Sequence, residues 1–277
     1  MTGFRASAPL TGAWHHFRFE VDDAGIATLT FDRPERLNAL TFDVYADLRD
    51  LLTELPHRGD VKVLIITGSG RGFCSGGDVD EIIGSLVNMG PRDLLEFTRM
   101  TGTVVQRMRE CPVPIIAAVN GVAAGAGAVI ALAADFRLLS RSAGFAFLFT
   151  RVGLSGGDMG SAYLLPRLVG LGRATELLML GDRIDAATAH AYGLANSVHD
   201  DAELAGAARA LARRLAGGPT LAYAATKLLL TREMDMGLAG SLELEAAMQA
   251  LLMKSADFQE AYRAFTEGRR EPRWTGT

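Results

Sequence analysis

The sequence predicts an α/β protein whose last quarter is helical. Three observations carry this. Apolar runs of strand length recur between segments with helical spacing. Two of those runs lead into glycine-rich loops, residues 68–78 and 120–127. From residue 202 onward the pattern is almost all helix, with segments at 202–215, 220–231, 241–253 and 257–267. The expected organisation is a flexible arm at 1–14, a core at 15–201 and a helical region at 202–277.

In order along the chain, residues 17–21 and 26–31 read as a β-hairpin turned by Asp22–Gly25. Asp32-Arg33-Pro34 breaks the second strand. Residues 41–55 carry Val44, Leu48, Leu51, Leu52 and Leu55 at helical spacing, with Thr41 placed as an N-cap. Residues 61–67 form a buried strand, and the loop GSGRGFCSGGD follows it. Helix fills roughly 91–110 until Cys111-Pro112-Val113-Pro114 stops it. The central stretch, 114–135, reads as strand, tight turn and helix: an apolar run at 115–119, Asn120-Gly121, a Gly/Ala loop, then helix. Strands are expected at 136–139 and 145–152, and the loop 153–157 opens a helix through Leu168. Helices at 174–180 and 186–192 and a strand at 193–198 complete the core.

Composition narrows the classes of function. A net charge of −4 gives no electrostatic reason to expect nucleic-acid binding. Only Cys74 and Cys111 occur, so neither a disulfide framework nor a zinc site is suggested. The start lacks the apolar core of a signal peptide, and no stretch approaches the roughly 20 apolar residues of a membrane span. A cytoplasmic enzyme is the expectation.

The two glycine-rich loops are the chemical signal. Each follows a buried strand and offers N–H groups beside a helix start, where negative charge is welcome. Neither contains the Lys of a Walker A loop, which argues against nucleoside triphosphate hydrolysis. A dinucleotide-binding reading draws on Gly121, Gly125 and Gly127 and on Tyr223-x-x-x-Lys227. Against it, about 120 residues precede the loop, no Ser lies a dozen residues before Tyr223, and loop 68–78 has no task. Two amides converging on one oxygen make an oxyanion hole instead, and losing one such donor typically costs about 3–4 kcal/mol in barrier.

Here the sequence resembles the crotonase (enoyl-CoA hydratase/isomerase) superfamily. The resemblance rests on Arg33-Pro34-x-x-Leu37-Asn38-Ala39-Leu40, Phe73-Cys74-Ser75-Gly76-Gly77-Asp78, the run from Pro114 through Gly127, Gly193-Leu194, and the ending Ala264-Phe265 to Trp274. It covers roughly residues 15–275. It implies a β-β-α spiral core with a helical trimerisation region, trimers or dimers of trimers, and an acyl-CoA thioester as substrate. No cofactor is implied beyond the coenzyme A of the substrate, and no metal. The enolate oxygen would be held by the Gly77 and Ala126 amides. Arg33, Leu37 and Ala39 would line the CoA groove, with Ser75, Gly76 and Asp78 flanking Gly77. Lys227 and Phe265 would lie near the CoA nucleotide.

The departures bear on the chemistry. The two glutamates of the hydratases fall on Val129 and Phe149, which cannot exchange protons. Asp158 matches an aspartate of several non-hydratase branches and is the expected proton shuttle; its other reading is a cap on the following helix. Ser155 is a cap or a substrate contact, and Tyr163 lines the pocket or packs. Ser75 has no histidine nearby in sequence to activate it. Phe136, Phe145, Phe147 and Phe149 form an aromatic pocket or simply core. The expected reaction is enoyl- or dienoyl-CoA isomerisation. The alternatives are hydration through Asp158 and a water, or a non-catalytic acyl-CoA-binding homologue. RNA binding would need a lysine-rich helix that the chain lacks.

Overall fold

The computed structural model describes residues 9–269 and 271–277. Strands β1 (Arg18–Val21) and β2 (Ile26–Phe31) form the expected hairpin, and β2 then pairs in parallel with β3 (Val63–Gly68). A second, small sheet holds β4 (Gly72–Cys74), β6 (Val122–Ala124), β8 (Gly144–Ala146) and β9 (Ile184–Asp185) in that order. The large sheet continues through β5 (Ile115–Val119), β7 (Phe136–Ser140) and β10 (Ser197–His199), giving the order β1-β2-β3-β5-β7-β10. Three times the chain leaves a strand of the large sheet, turns, and adds a strand to the small one: β3 to β4, β5 to β6, β7 to β8. This repeated step is the expected β-β-α spiral.

The helices are α1 (Phe42–Arg58), the single turn α2 (Gly84–Leu86), α3 (Pro91–Glu110), α4 (Ala126–Ala133), α5 (Ser161–Val169), α6 (Leu171–Leu180) and α7 (Ala186–Ala191). The C-terminal part holds α8 (Leu204–Ala216), α9 (Thr220–Arg232), α10 (Leu238–Leu252) and α11 (Ala256–Thr266). Because side chains alternate across a strand, β3 feeds two cores. Leu64 and Ile66 enter the main core, while Val63 and Ile65 pack with Leu204, Ala208, Ala212 and Leu215 of α8. Burial on both faces explains the uninterrupted apolar run. The helix α8 thus covers the outer face of the large sheet.

Strands β4 and β6 lie inside what read as loops. Glycine and alanine carry little strand propensity, so pairing alone makes these strands. The turns before them need glycine for close approach. A Cβ at Gly121 would sit 2.1 Å from the Arg71 carbonyl oxygen, and one at Gly68 would sit 2.2 Å from that of Gly72.

Two expectations are corrected in the region after β7. Residues 145–152 are not one strand: β8 ends at Ala146, opposite Ala124 at the end of β6 and one residue past its last pair with β9, and Leu148–Val152 form a 3₁₀ turn. The helix after loop 153–157 begins only at Ser161, because Met159 and Gly160 have φ of 49° and 88°. The strand expected at 193–198 is displaced to β10, since Gly193 (φ 81°) is spent on closing α7.

Candidate active site

The two glycine-rich loops touch. A Cβ on Gly125 would lie 3.8 Å from the Gly76 Cα; one on Gly76 would lie 3.0 Å from the Ala124 oxygen and 3.5 Å from the Ala126 nitrogen. Both glycines have positive φ, 100° at Gly76 and 51° at Gly125, where a side chain would be strained. A Cβ on Gly127 would sit 2.2 Å from the Cys74 oxygen.

Each candidate amide is free for a structural reason. Leu40 bridges this loop as a parallel partner of Gly77: its N–H donates to the Gly76 oxygen at 2.8 Å, and its oxygen accepts the Asp78 N–H at 2.8 Å. Those bonds straddle Gly77, whose own N–H points away from Leu40. Ala126 is the first residue of α4, so its N–H has no intrahelical acceptor. The preceding Gly125 N–H is used by Ala146 O at 2.9 Å. Among the described residues neither the Gly77 nor the Ala126 N–H has a protein partner.

Buried polar side chains brace the loops. Asn38, 1% exposed, accepts from the Arg33 N–H at 3.0 Å and donates to Ser69 O and Gly72 O at 2.9 and 2.8 Å. Leu37 and Asn38 have φ of 51° and 58°, and Leu37 O accepts the Ser75 N–H at 3.0 Å. Asn120 accepts from the Gly68 N–H at 3.1 Å and donates to Gly70 O at 3.0 Å. Asp78 is buried. It accepts from the Glu81 and Asp80 N–H groups and pairs with Arg33 at 3.0 Å; the Glu81 amide, then Arg33, hold its carboxyl below the usual range. Arg33 also donates to Ala39 O at 2.7 Å. In this chain Asp78, Arg33 and buried Ala39 fasten the loops to each other.

Asp158 sits half-buried in the loop before α5, and burial raises its carboxyl above the usual range against the opposing pull of the Met159 amide. It does not cap α5 through its side chain. The loop is held instead by Ser161, whose hydroxyl accepts the Asp158 N–H at 3.0 Å and donates to Gly156 O at 2.6 Å. Ser155 accepts the Gly157 N–H at 3.0 Å and is exposed. The Asp158 carboxylate is close enough to act on the Tyr45 phenol, as is the Cys74 thiol of the Gly77 loop. Burial, then Cys74 and Asp158, raise that phenol well above its ordinary value, and burial pushes Cys74 up to about 12. Beyond Met159 a cavity of about 550 Å³ opens, lined by Val105, Met159, Gly160, Tyr163 and Met236.

Val129 is fully buried in α4, one turn after Ala126, and Phe149 is 8% exposed in the 3₁₀ turn before the Asp158 loop. Phe145 and Phe147 are sealed in the core, stacked at 6.5 Å, which corrects the aromatic-pocket reading for those two. Tyr163 donates to Asp235 at 2.7 Å. Ser75 donates weakly to Arg36 O at 3.3 Å. Lys227 has partners within its own chain. Its Nζ is buried, 2.7 Å from Asp135 and 2.9 Å from Val113 O, so its charge is already committed within the chain. The same pairing removes it from any Tyr-x-x-x-Lys proton relay. Phe265 is 84% exposed on α11, where only another molecule could cover it.

Tyr45, Ser161 and Asn38 were not singled out by sequence reasoning. For Tyr45 the signal was present, a polar tip within the apolar stripe of α1. Ser161 gave none, because its role depends on a loop conformation.

The model of the enoyl-CoA hydratase/isomerase family matches residues 22–277. The chain belongs to that family. It is 38% identical over 254 residues to the 1,2-epoxyphenylacetyl-CoA isomerase of Escherichia coli (strain K12), spanning 92% of this chain and 96% of that one. It is 32% identical to the trans-2-decenoyl-[acyl-carrier-protein] isomerase of Streptococcus mutans, spanning 92% and 96%. A solved Streptomyces coelicolor A3(2) structure, described as an enoyl-CoA hydratase by assignment only, superposes with a TM-score of 0.96 at 60% identity over the whole of both chains. This family member is therefore an enzyme of the hydratase/isomerase type with the crotonase fold. Among the described residues no helix is long and apolar enough to cross a membrane, and no cluster of three metal-ligating side chains occurs.

Proposed function

We propose that this family member isomerises an unsaturated acyl-CoA, holding the thioester enolate at the Gly77 and Ala126 amides and moving a proton with Asp158. The carrying observation is the contact between loops 74–78 and 124–127, each leaving one unpartnered N–H. Such donors are fixed before the substrate arrives and cost no reorganisation. In the proposed step the Asp158 carboxylate takes a proton from an acyl carbon, and the electron pair moves to the thioester oxygen. The enolate then recovers a proton at the other end of the conjugated system, and nothing is gained or lost overall. Burial suits Asp158 to this task, because a raised carboxyl is a better proton acceptor once ionised. Hydration is less well supported, since Val129 and Phe149 offer no second acid.

The chain is further proposed to act as a homotrimer or a dimer of trimers. The helix α10 buries no residue of its own chain, and Leu238, Leu242, Leu251 and Phe265 of the helical region are exposed. A patch of that kind favours self-association.

The test is incubation with 2-enoyl-, 3-enoyl- and 2,5-dienoyl-CoAs in deuterated water, followed by mass spectrometry. Deuterium uptake with double-bond migration is expected. Addition of water would favour a hydratase. Thermal stabilisation by the esters with neither uptake nor turnover would favour a binding-only protein. Sedimentation velocity reads the assembly, and a monomer at micromolar concentration would refute the trimer.

A further inference from the structure

A second cavity, of about 350 Å³, opens between α5, α9 and the start of β7, and none of Gly77, Ala126 and Asp158 lines it. Most of its wall is apolar, including Phe136, Leu164, Leu168, Leu215 and Leu230. Four cationic side chains share that wall, Arg109, Arg137, Arg167 and Lys227, against one carboxylate, Asp135. That carboxylate is already taken, by Lys227 at 2.7 Å, the Ile115 N–H at 2.8 Å and Arg109 at 3.4 Å. Arg167 turns instead to Asp235, at 3.6 Å. Arg137 is left over. It is 6% exposed, and its guanidinium donates to main-chain oxygens alone: Nε to Leu194 at 2.7 Å, Nη1 to Leu132 at 3.2 Å and to Ala134. Among the described residues no carboxylate pairs with it. Its Nη2 bonds to nothing there, and it is not one of the side-chain nitrogens sealed from solvent. Buried charges are ordinarily paired, because leaving water without a partner is costly. Burial pushes this guanidinium down to about 10, which still leaves it charged at neutral pH.

We propose that this cavity binds a small carboxylic acid with an apolar body, its carboxylate at the Arg137 guanidinium and its body against the leucines. A carboxylate matches a guanidinium in shape as well as charge, and it would supply the counter-ion that the fold leaves out. The excess of cations over anions in the wall draws a negative head inward, while the hydrocarbon lining rewards an apolar body. Inorganic phosphate would lose its water without gaining those contacts. Ligand cavities run from about 300 to 1,000 Å³, and one at the small end admits a short alkyl or aryl acid.

The probe is octanoate, titrated calorimetrically into the full-length protein beside octan-1-ol, its neutral counterpart, and inorganic phosphate, an anion without a body. One octanoate per chain is expected, bound about tenfold more tightly than either, the worth of a hydrogen bond to a charged group. Arg137 itself is a poor residue to change, since three main-chain oxygens depend on it. Thr226 lines the same cavity from the exposed side of α9, and its hydroxyl bonds only back to Ala222 O of its own helix. Thr226→Glu brings a carboxylate from the chain itself and is expected to weaken octanoate about tenfold, whereas uncharged Thr226→Gln holds it within about threefold. The proposal is overturned if octanoate does not bind, or if octan-1-ol or phosphate binds as well. Unchanged octanoate affinity in Thr226→Glu overturns it, since the acid would then sit elsewhere. Equal weakening by both variants overturns it too, because bulk rather than charge would be responsible. Each outcome is read without turnover, so failure of the isomerase reading leaves the test intact.

Discussion

The cleanest probe of the two-amide site is Ala126→Pro. The substitution deletes one N–H and nothing else that the fold uses. Ala126 is the first residue of α4, its amide bonds no group among the described residues, and proline is well tolerated at that helix position. Gly125, with φ 51° and ψ −124°, is in a region open to glycine, so the extended preference that proline imposes on its predecessor is relieved there. The ring carbon replaces the hydrogen aimed at the proposed enolate oxygen. Stability is expected to change by no more than about 1 kcal/mol, because an unused helical N–H is given up. Removing one oxyanion donor lowers turnover by about 10²–10³, or roughly 3–4 kcal/mol of barrier. The assay is the rate at which the acyl carbon next to the thioester takes up deuterium, with KM measured alongside. Since the lost contact matters most when charge has developed, kcat is expected to fall far more than KM rises. A folded Ala126→Pro variant with exchange within threefold of the parent would refute the two-amide site.

Three further outcomes follow from the same geometry. Gly127→Ala puts a Cβ 2.2 Å from the Cys74 oxygen, about 1.2 Å inside the 3.4 Å at which ordinary contact begins. It is expected to push the Gly77 loop away and cut exchange about 10²-fold, whereas Gly172→Ala, with nothing within 4 Å, leaves activity alone and gains up to about 1 kcal/mol; equal activity in both would contradict the close packing. Asp158→Asn is expected to abolish exchange yet melt higher than the parent at neutral pH. A raised folded pKa means that ionising Asp158 costs stability, a cost absent below the ordinary carboxylate value of about 3.9 and incurred as pH rises through the raised folded value. Melting scans from pH 3 to 8 should show the two proteins converging at the acid end. Lys227→Met strands Asp135, which Arg109 also approaches at 3.4 Å, and should cost about 3–5 kcal/mol or less, with KM for acyl-CoA unchanged. A rise in KM with full stability would return Lys227 to the CoA groove.

What the sequence made legible was whatever local pattern encodes. The hairpin, the α1 stripe with its Thr41 cap, and the buried run of β3 could be read from alternation, helical period and cap chemistry, and Thr41 indeed accepts the Val44 N–H at 3.2 Å. The family resemblance carried the paired amides, which no periodicity reveals. The strands β4 and β6 were hidden because three residues of glycine, alanine, cysteine and their neighbours have no signature until a partner strand is beside them. The 3₁₀ turn at 148–152 was misread for the opposite reason: Phe145, Phe147 and Phe149 alternate like a strand, but nothing remains for them to pair with. Lys227 shows a third limit. Its place in the helix was clear, while the carboxylate that claims it lies 92 residues earlier.

The groups proposed to steady the negative charge belong to the peptide backbone, held by glycines whose Cβ positions are occupied by neighbouring main chain. Proline apart, no ordinary amino-acid exchange alters the chemistry of an amide. Variation among descendants of such a scaffold is thereby steered to positions such as 129, 149 and 158, where one side chain can be traded for another while the charge-holding frame persists. A single ancestral framework can in this way acquire new reactions without rebuilding the part that is hardest to rebuild.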